Sequence, residues 1–112
     1  KQVRMMVENE QGEVVGMVDL MNFDPRHLRA ELGIVIKKEF CGKGFATSAI
    51  RHLQQYAKNI LHLHQIYAIV AENNENAVRM LKAVGFQGDK LLKGWLNEGG
   101  AYRDAYFFQS FL

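Results

Sequence analysis

The residues that could do chemistry gather in one short stretch. From Glu31 the chain runs Glu-Leu-Gly-Ile-Val-Ile, crosses a charged link, and reaches Cys41-Gly42-Lys43-Gly44-Phe45-Ala46 before entering helix-forming sequence. A strand, a glycine loop and a helix start in that order aim unpaired backbone N–H groups, and the positive end of a helix dipole, at whatever lies before the loop. Small residues permit close approach, so Gly42, Lys43, Gly44, Phe45 and Ala46 can set consecutive amide donors around a pyrophosphate. The spacing is neither G-x-x-x-x-G-K-[ST] nor GxGxxG, which excludes a Walker A loop and a dinucleotide fingerprint. Taken alone, the loop also fits an ordinary glycine-containing turn.

Glu31 is the candidate proton acceptor, since its parity on the strand is opposite to that of Leu32, Ile34 and Ile36. The same position also fits a solvent-facing glutamate paired with Arg29; Asp19 and Glu39 are weaker candidates. Asn74 stands at the start of a later helix and reads as its N-cap. His62-Leu63-His64 reads as a pair of helix-end histidines, because no cysteine or carboxylate nearby completes a zinc site, and no metal is expected. Cys41 at a helix N-terminus could be a reactive thiol.

The elements that must position these groups follow from periodicity. Val3 to Glu8 and Val14 to Phe23 read as strands joined by a turn over Asn9 to Glu13; apolar residues on both parities of the second suggest that both its faces are covered. Leu28 to Ile36 is a third strand. After the loop, Ala46, Ala49, Ile50, Leu53, Ala57 and Ile60 fall on one helix face of about four turns. Gln65 to Glu72 is a strand, Asn73 to Val84 a second helix stopped by Gly85, and Phe86 to Leu96 and Ala105 to Leu112 a last pair of strands joined through Asn97 to Gly100. The order predicts a mixed α/β sheet with a parallel pair in its middle and antiparallel hairpins on either side.

Composition narrows the function classes. With 112 residues, 48% hydrophobic and 23% charged, the chain is one domain with a modest core. A net charge of +2 with scattered Lys and Arg argues against nucleic acid and against a polybasic membrane patch. The longest apolar run, Ile66 to Ala71, is too short to span a bilayer. Cys41 is the single cysteine, which precludes an internal disulfide and fits a reducing, cytoplasmic compartment. The chain opens at Lys1 directly into a strand-like segment, from which a preceding N-terminal piece is expected.

In its element order and motifs the chain resembles the GNAT superfamily of acyl-CoA-dependent N-acetyltransferases, and within it the spermidine and diamine N-acetyltransferase branch. The family loop, Gln/Arg-x-x-Gly-x-Gly/Ala, falls on Cys41-Gly42-Lys43-Gly44-Phe45-Ala46, with Cys41 in the Gln/Arg place. The later signature falls on Asn74-Glu75-Asn76-Ala77 and Gly85-Phe86, and the branch likeness takes in Arg29-Ala30-Glu31, His64-Gln65-Ile66-Tyr67 and Tyr102-Arg103. The resemblance implies the GNAT fold lacking its first strand and first two helices, and acetyl-CoA as co-substrate. It implies cofactor contacts from the backbone of Gly33, Ile34, Val35 and Ile36, from the loop, and from Asn74 and Ala77. It also implies Glu31 near the acceptor, a primary amine of the polyamine or diamine class. Two departures stand out. Leu81 occupies the place of a tyrosine that commonly protonates the departing thiolate, leaving solvent, Tyr67 or Tyr106, and Asn22 stands where relatives carry a carboxylate. The alternatives are a protein or peptide amine as acceptor, or a non-catalytic acyl-CoA-binding or assembly module. The C-terminal aromatics Tyr106, Phe107, Phe108 and Phe111 fit strand core or a homo-oligomer interface.

Overall fold

The computed structural model describes residues 2–112, and the side chains of all of these except Asp89. The elements are β1 (Val3–Glu8), β2 (Val14–Asp24), β3 (Arg29–Ile36), α1 (Phe45–Asn59), β4 (Gln65–Ala71), α2 (Glu75–Ala83), β5 (Gln87–Glu98) and β6 (Ala101–Phe111), with a short 3-10 turn over Lys38–Phe40 before the glycine loop. They build one sheet in the order β1-β2-β3-β4-β6-β5, antiparallel throughout except where β3 meets β4. That parallel pair requires a crossover, which α1 supplies.

Both helices pack on one face of the sheet. Ala49, Ile50, Leu53 and Ala57 of α1, and Leu81 of α2 with Val84 just after it, share one core with Leu20, Ala30, Leu32, Ile66, Ala68 and Phe108. These strand residues alternate with Glu31, Gly33 and Val35, with Tyr67 and Ile69, and with Phe107 and Gln109, whose side chains therefore project to the opposite face. No helix covers that face among the described residues. Gln54 of α1 ties the layers at the edge of the core, donating from Nε2 to Val84 O at 3.0 Å and to Ser110 Oγ at 3.1 Å.

Several expectations need correction. β2 is buried on the helix side at Val18 and Leu20 and is buried also at Val15, but Met17, Asp19 and Met21, which share the parity of Val15, are only half-buried, because both helices lie on the other side. Ile60 is the exposed C-cap of α1 and takes no part in its buried stripe. β6 begins at Ala101, four residues earlier than expected, because Gly99 (φ 60°) and Gly100 (φ 85°) close a two-residue hairpin. The second helix runs only over Glu75–Ala83, with Asn74 and Val84 as its caps.

Candidate functional site

Gly42 and Gly44 adopt φ of 77° and 86°, a region that L side chains enter only with strain, and no atom lies within 4 Å of where a Cβ would be. Gly44 is the N-cap of α1, has no side chain to cap the helix, and no acidic residue follows in the first turn. The first-turn N–H groups thus face the loop without a carboxylate competing for them. Phe40 meets Phe45 edge-on at 6.0 Å and pins the two ends of the loop together.

Above the loop lies a cleft of about 560 Å³, within the usual size for small-molecule sites. Ile34 and Ile36 line it from β3 and Phe45, Ala46 and Thr47 from α1, while Asn74, Asn76, Ala77, Arg79 and Met80 line it from α2 and its cap. Asn74 caps α2, its Oδ1 accepting from Ala77 N–H at 3.2 Å. A more open polar groove, sharing Gly44 and Thr47 with the cleft, continues past Ser48 and Arg51 along α1.

The sheet itself is split beside this cleft. β3 pairs with β4 only at Arg29 with Gln65, Ala30 with Ile66 and Glu31 with Tyr67. Beyond Glu31 the two strands part, so Leu32, Ile34 and Ile36, whose backbone N–H and C=O groups point away from β2, present them toward β4 without a strand partner among the described residues. Backbone polar groups in such a setting call for hydrogen bonds from water or a ligand.

Glu31 is the last residue of β3 paired with β4 and projects to the face without helices. Asn22, held at φ 54° beside a bulge in β2, donates from Nδ2 to Glu31 Oε1 at 2.8 Å. Tyr67, opposite Glu31 on β4, stacks on Phe107 with ring centroids 5.5 Å apart. Burial, and then the negative charge of Glu31, push the Tyr67 hydroxyl above its ordinary range, so it stays protonated. Asp19 is gripped by Arg4, which holds its carboxyl below the usual range through hydrogen bonding. Asp24, at the start of the loop to β3, is lowered to about 2, chiefly by the His27 side chain and then by the His27 backbone N–H.

The residues expected from sequence thus fall on two sides of the split. Ile34, Ile36, Cys41, Gly42, Gly44, Phe45, Ala46, Asn74 and Ala77 line the cleft. Gly33 and Val35 turn their side positions to the opposite face and their backbone N–H and C=O groups toward β2, so neither is aimed into the split. Lys43 places its Nζ 5.8 Å from the Phe40 ring centroid. Leu81 is 1% exposed and belongs to the core. Tyr106 packs against that same core, while Tyr67 lies on the other face, and neither lines the cleft. Phe40, Thr47, Asn76, Arg79 and Met80 line it without having been expected. For Asn76 and Met80 a signal existed, since they lie four residues apart on one side of α2 next to Ala77.

A split mixed sheet with a glycine loop and helix N-terminus below the split is the architecture of a known class of transferases. A family model described as an acetyltransferase (GNAT) domain matches residues 1–87, and the chain belongs to that family. Among its relatives, the spermidine N(1)-acetyltransferase of Escherichia coli strain K12 is 36% identical over 104 residues, covering 91% of this chain and 54% of that protein. The spermidine N(1)-acetyltransferase of Vibrio cholerae is 37% identical over 112 residues, covering 96% and 64%. A dodecameric structure of the Vibrio cholerae spermidine N-acetyltransferase superposes with a TM-score of 0.91 at 34% identity, covering 98% of this chain and 64% of that one. The chain therefore spans between about half and two thirds of the length of these relatives.

Proposed function

We propose that this chain is the acetyl-CoA-binding and catalytic part of an N-acetyltransferase acting on a primary amine, with polyamines and diamines such as spermidine as the leading acceptors. The observation that carries this reading is the split between β3 and β4, with the glycine loop on its helix side and Glu31 at its lip on the other. A donor and an acceptor can then approach one point from opposite faces of the sheet. The spermidine acetyltransferases among the relatives favour a polyamine acceptor.

The residues present fit acetyl-CoA. Gly42 and Gly44 leave open space at the head of α1 for a pyrophosphate, and the unpaired β3 backbone suits the amides of a pantetheine arm. Bound there, acetyl-CoA would supply an activated acyl group as a thioester. Glu31 takes the proton that an alkylammonium, titrating near pH ~10, must lose before its nitrogen can attack. Asn22 fixes that carboxylate through Oε1, and Oε2 is the oxygen this bond does not use. With Leu81 in the core, the leaving thiolate takes its proton from solvent, which a thiol of ordinary pKa, about 8.5, tolerates near neutral pH. We assign the reaction to the cytoplasm, in keeping with a single exposed cysteine, Cys41, and extend to this chain the self-association of its dodecameric relative.

The test is thiol release from acetyl-CoA with spermidine present, together with detection of N-acetylspermidine. Release that depends on the amine supports transfer. Saturable acetyl-CoA binding with no release would instead favour the non-catalytic acyl-CoA module, a reading that Leu81 recommends.

A further inference from the structure

Arg4 projects from the edge strand β1 onto the face that carries Glu31. It holds Asp19 with two hydrogen bonds, Nε to Oδ1 at 2.8 Å and Nη2 to Oδ2 at 3.0 Å, and Gln2 Nε2 stands 3.4 Å from Oδ2. The Asp19 side chain is left 14% exposed, against 53% for Arg4. A guanidinium fork on a carboxylate is a directional, charge-assisted pairing.

Asp19 lies directly across from Gly33, and Met21 directly across from Glu31. Asp19 and Glu31 are therefore diagonal neighbours on one face, about 7–8 Å apart. Gly33 puts no side chain between them, and the space is floored by Met21: a Cβ at Gly33 would meet Met21 Cε at 2.7 Å and the Asp19 Cβ at 3.8 Å. Carboxylate, apolar thioether and carboxylate in a row match two ammonium groups joined by a short alkyl chain. Arg4 already sits on one of the two.

We infer that Arg4 is a specificity-determining residue of the acceptor site, its guanidinium filling at Asp19 the place of an acceptor's second cation, so that the site recognises the acceptor through one ammonium at Glu31. The inference rests on the acetyl-transfer reading above and departs from it on one point: a diamine is accepted through one ammonium, without preference over a monoamine. A second ammonium gains little by exchanging with a guanidinium that is bidentate and tethered to the same molecule, since the tether keeps its effective concentration high.

The experiment compares kcat/KM for 1,4-diaminobutane with that for butylamine, as a ratio, in the 112-residue chain and in its Arg4→Gln and Arg4→Lys variants. Counted per reactive nitrogen, the ratio is expected near one in the parent chain, to rise about fivefold in Arg4→Gln as one half-exposed ion pair becomes available, and to stay near one in Arg4→Lys. Adding Asp19→Asn to Arg4→Gln removes the gain. A purely structural role for Arg4 would lower both rates together and leave the ratio where it was, which would overturn the assignment. So would a parent chain that already prefers the diamine fivefold. Should no amine be acetylated, equilibrium dialysis of the same two amines against the same proteins gives the same ratio. Failure of acetyl transfer and failure of the Arg4 assignment are thereby read separately.

Discussion

Glu31 has to combine a fixed position with the ability to take up a proton. The Asn22 amide meets the first need with one hydrogen bond, and the loop geometry behind it, a bulge with Asn22 at φ 54°, keeps that amide in place. Glu31→Gln preserves the shape and removes the proton acceptor. Steady-state kinetics should show kcat/KM for the amine falling about 100-fold near neutral pH, with KM for acetyl-CoA little changed. The deficit should shrink toward pH ~10, where the amine loses its own proton to water. Asp24 gives a different pH signature. Its pKa is depressed in the folded chain to about 2, so its contribution is complete above the ordinary carboxylate value of about 4 and is lost as pH falls through about 2. Urea unfolding of the parent chain and of Asp24→Asn should differ by a constant amount from pH ~6 to ~4, and the difference should close between pH ~4 and ~2. Leu81 shows why a motif position cannot be read by number alone. Its periodicity puts it on the buried stripe of α2, and a leucine there is core whatever the family places at that point.

At the level of elements, two glycines in neighbouring strands should respond to different degrees. A Cβ on Gly16 would fall 2.3 Å from the Val35 carbonyl oxygen, a backbone atom that cannot give, whereas one on Gly33 would meet the mobile end of Met21. Gly16→Ala is expected to cost about 2–3 kcal/mol in urea unfolding, and Gly33→Ala less than about 1 kcal/mol. Asn74→Ala removes the cap of α2 and should cost about 1 kcal/mol while weakening acetyl-CoA binding, read by titration. Most of these elements were legible in the sequence. The alternation in β1 and β3 and the helical stripe of α1 are strong signals, and they fixed boundaries to within a residue or two. β6 reads short in the sequence because Tyr102, Arg103 and Asp104 look like loop, although the Gly99-Gly100 pair signals a tight hairpin. The Arg4–Asp19 pair was not legible at all. A bulge between Val7 and Glu8 shifts the register of β1 on β2, and counting back from the turn without it sets Arg4 opposite Val18, on the helix side. The split of the sheet was equally hidden, because how far two parallel strands stay paired depends on what packs beneath them.

At the scale of the whole sheet, the described residues place helices on a single face, and on the other Met6, Val35 and Phe111 are each more than half exposed. A domain of 112 residues has little stability to spare, so a ligand bound only by the native state should be visible in its melting. Acetyl-CoA at about 100 times its Kd adds about 2.7 kcal/mol and should raise the thermal midpoint by about 10 °C in differential scanning fluorimetry. The seam between β3 and β4 gives the same event a location. Among the described residues, three residue pairs couple β1, β2 and β3 to β4, β6 and β5 within the sheet, so the two halves resemble the jaws of a clasp joined by a short hinge. A ligand lying in the split would supply the missing rungs. Amide exchange at Ile34 and Ile36 on one jaw and at Ile69 and Ala71 on the other would then slow together, and the chain would unfold as a single body only while that rung is in place.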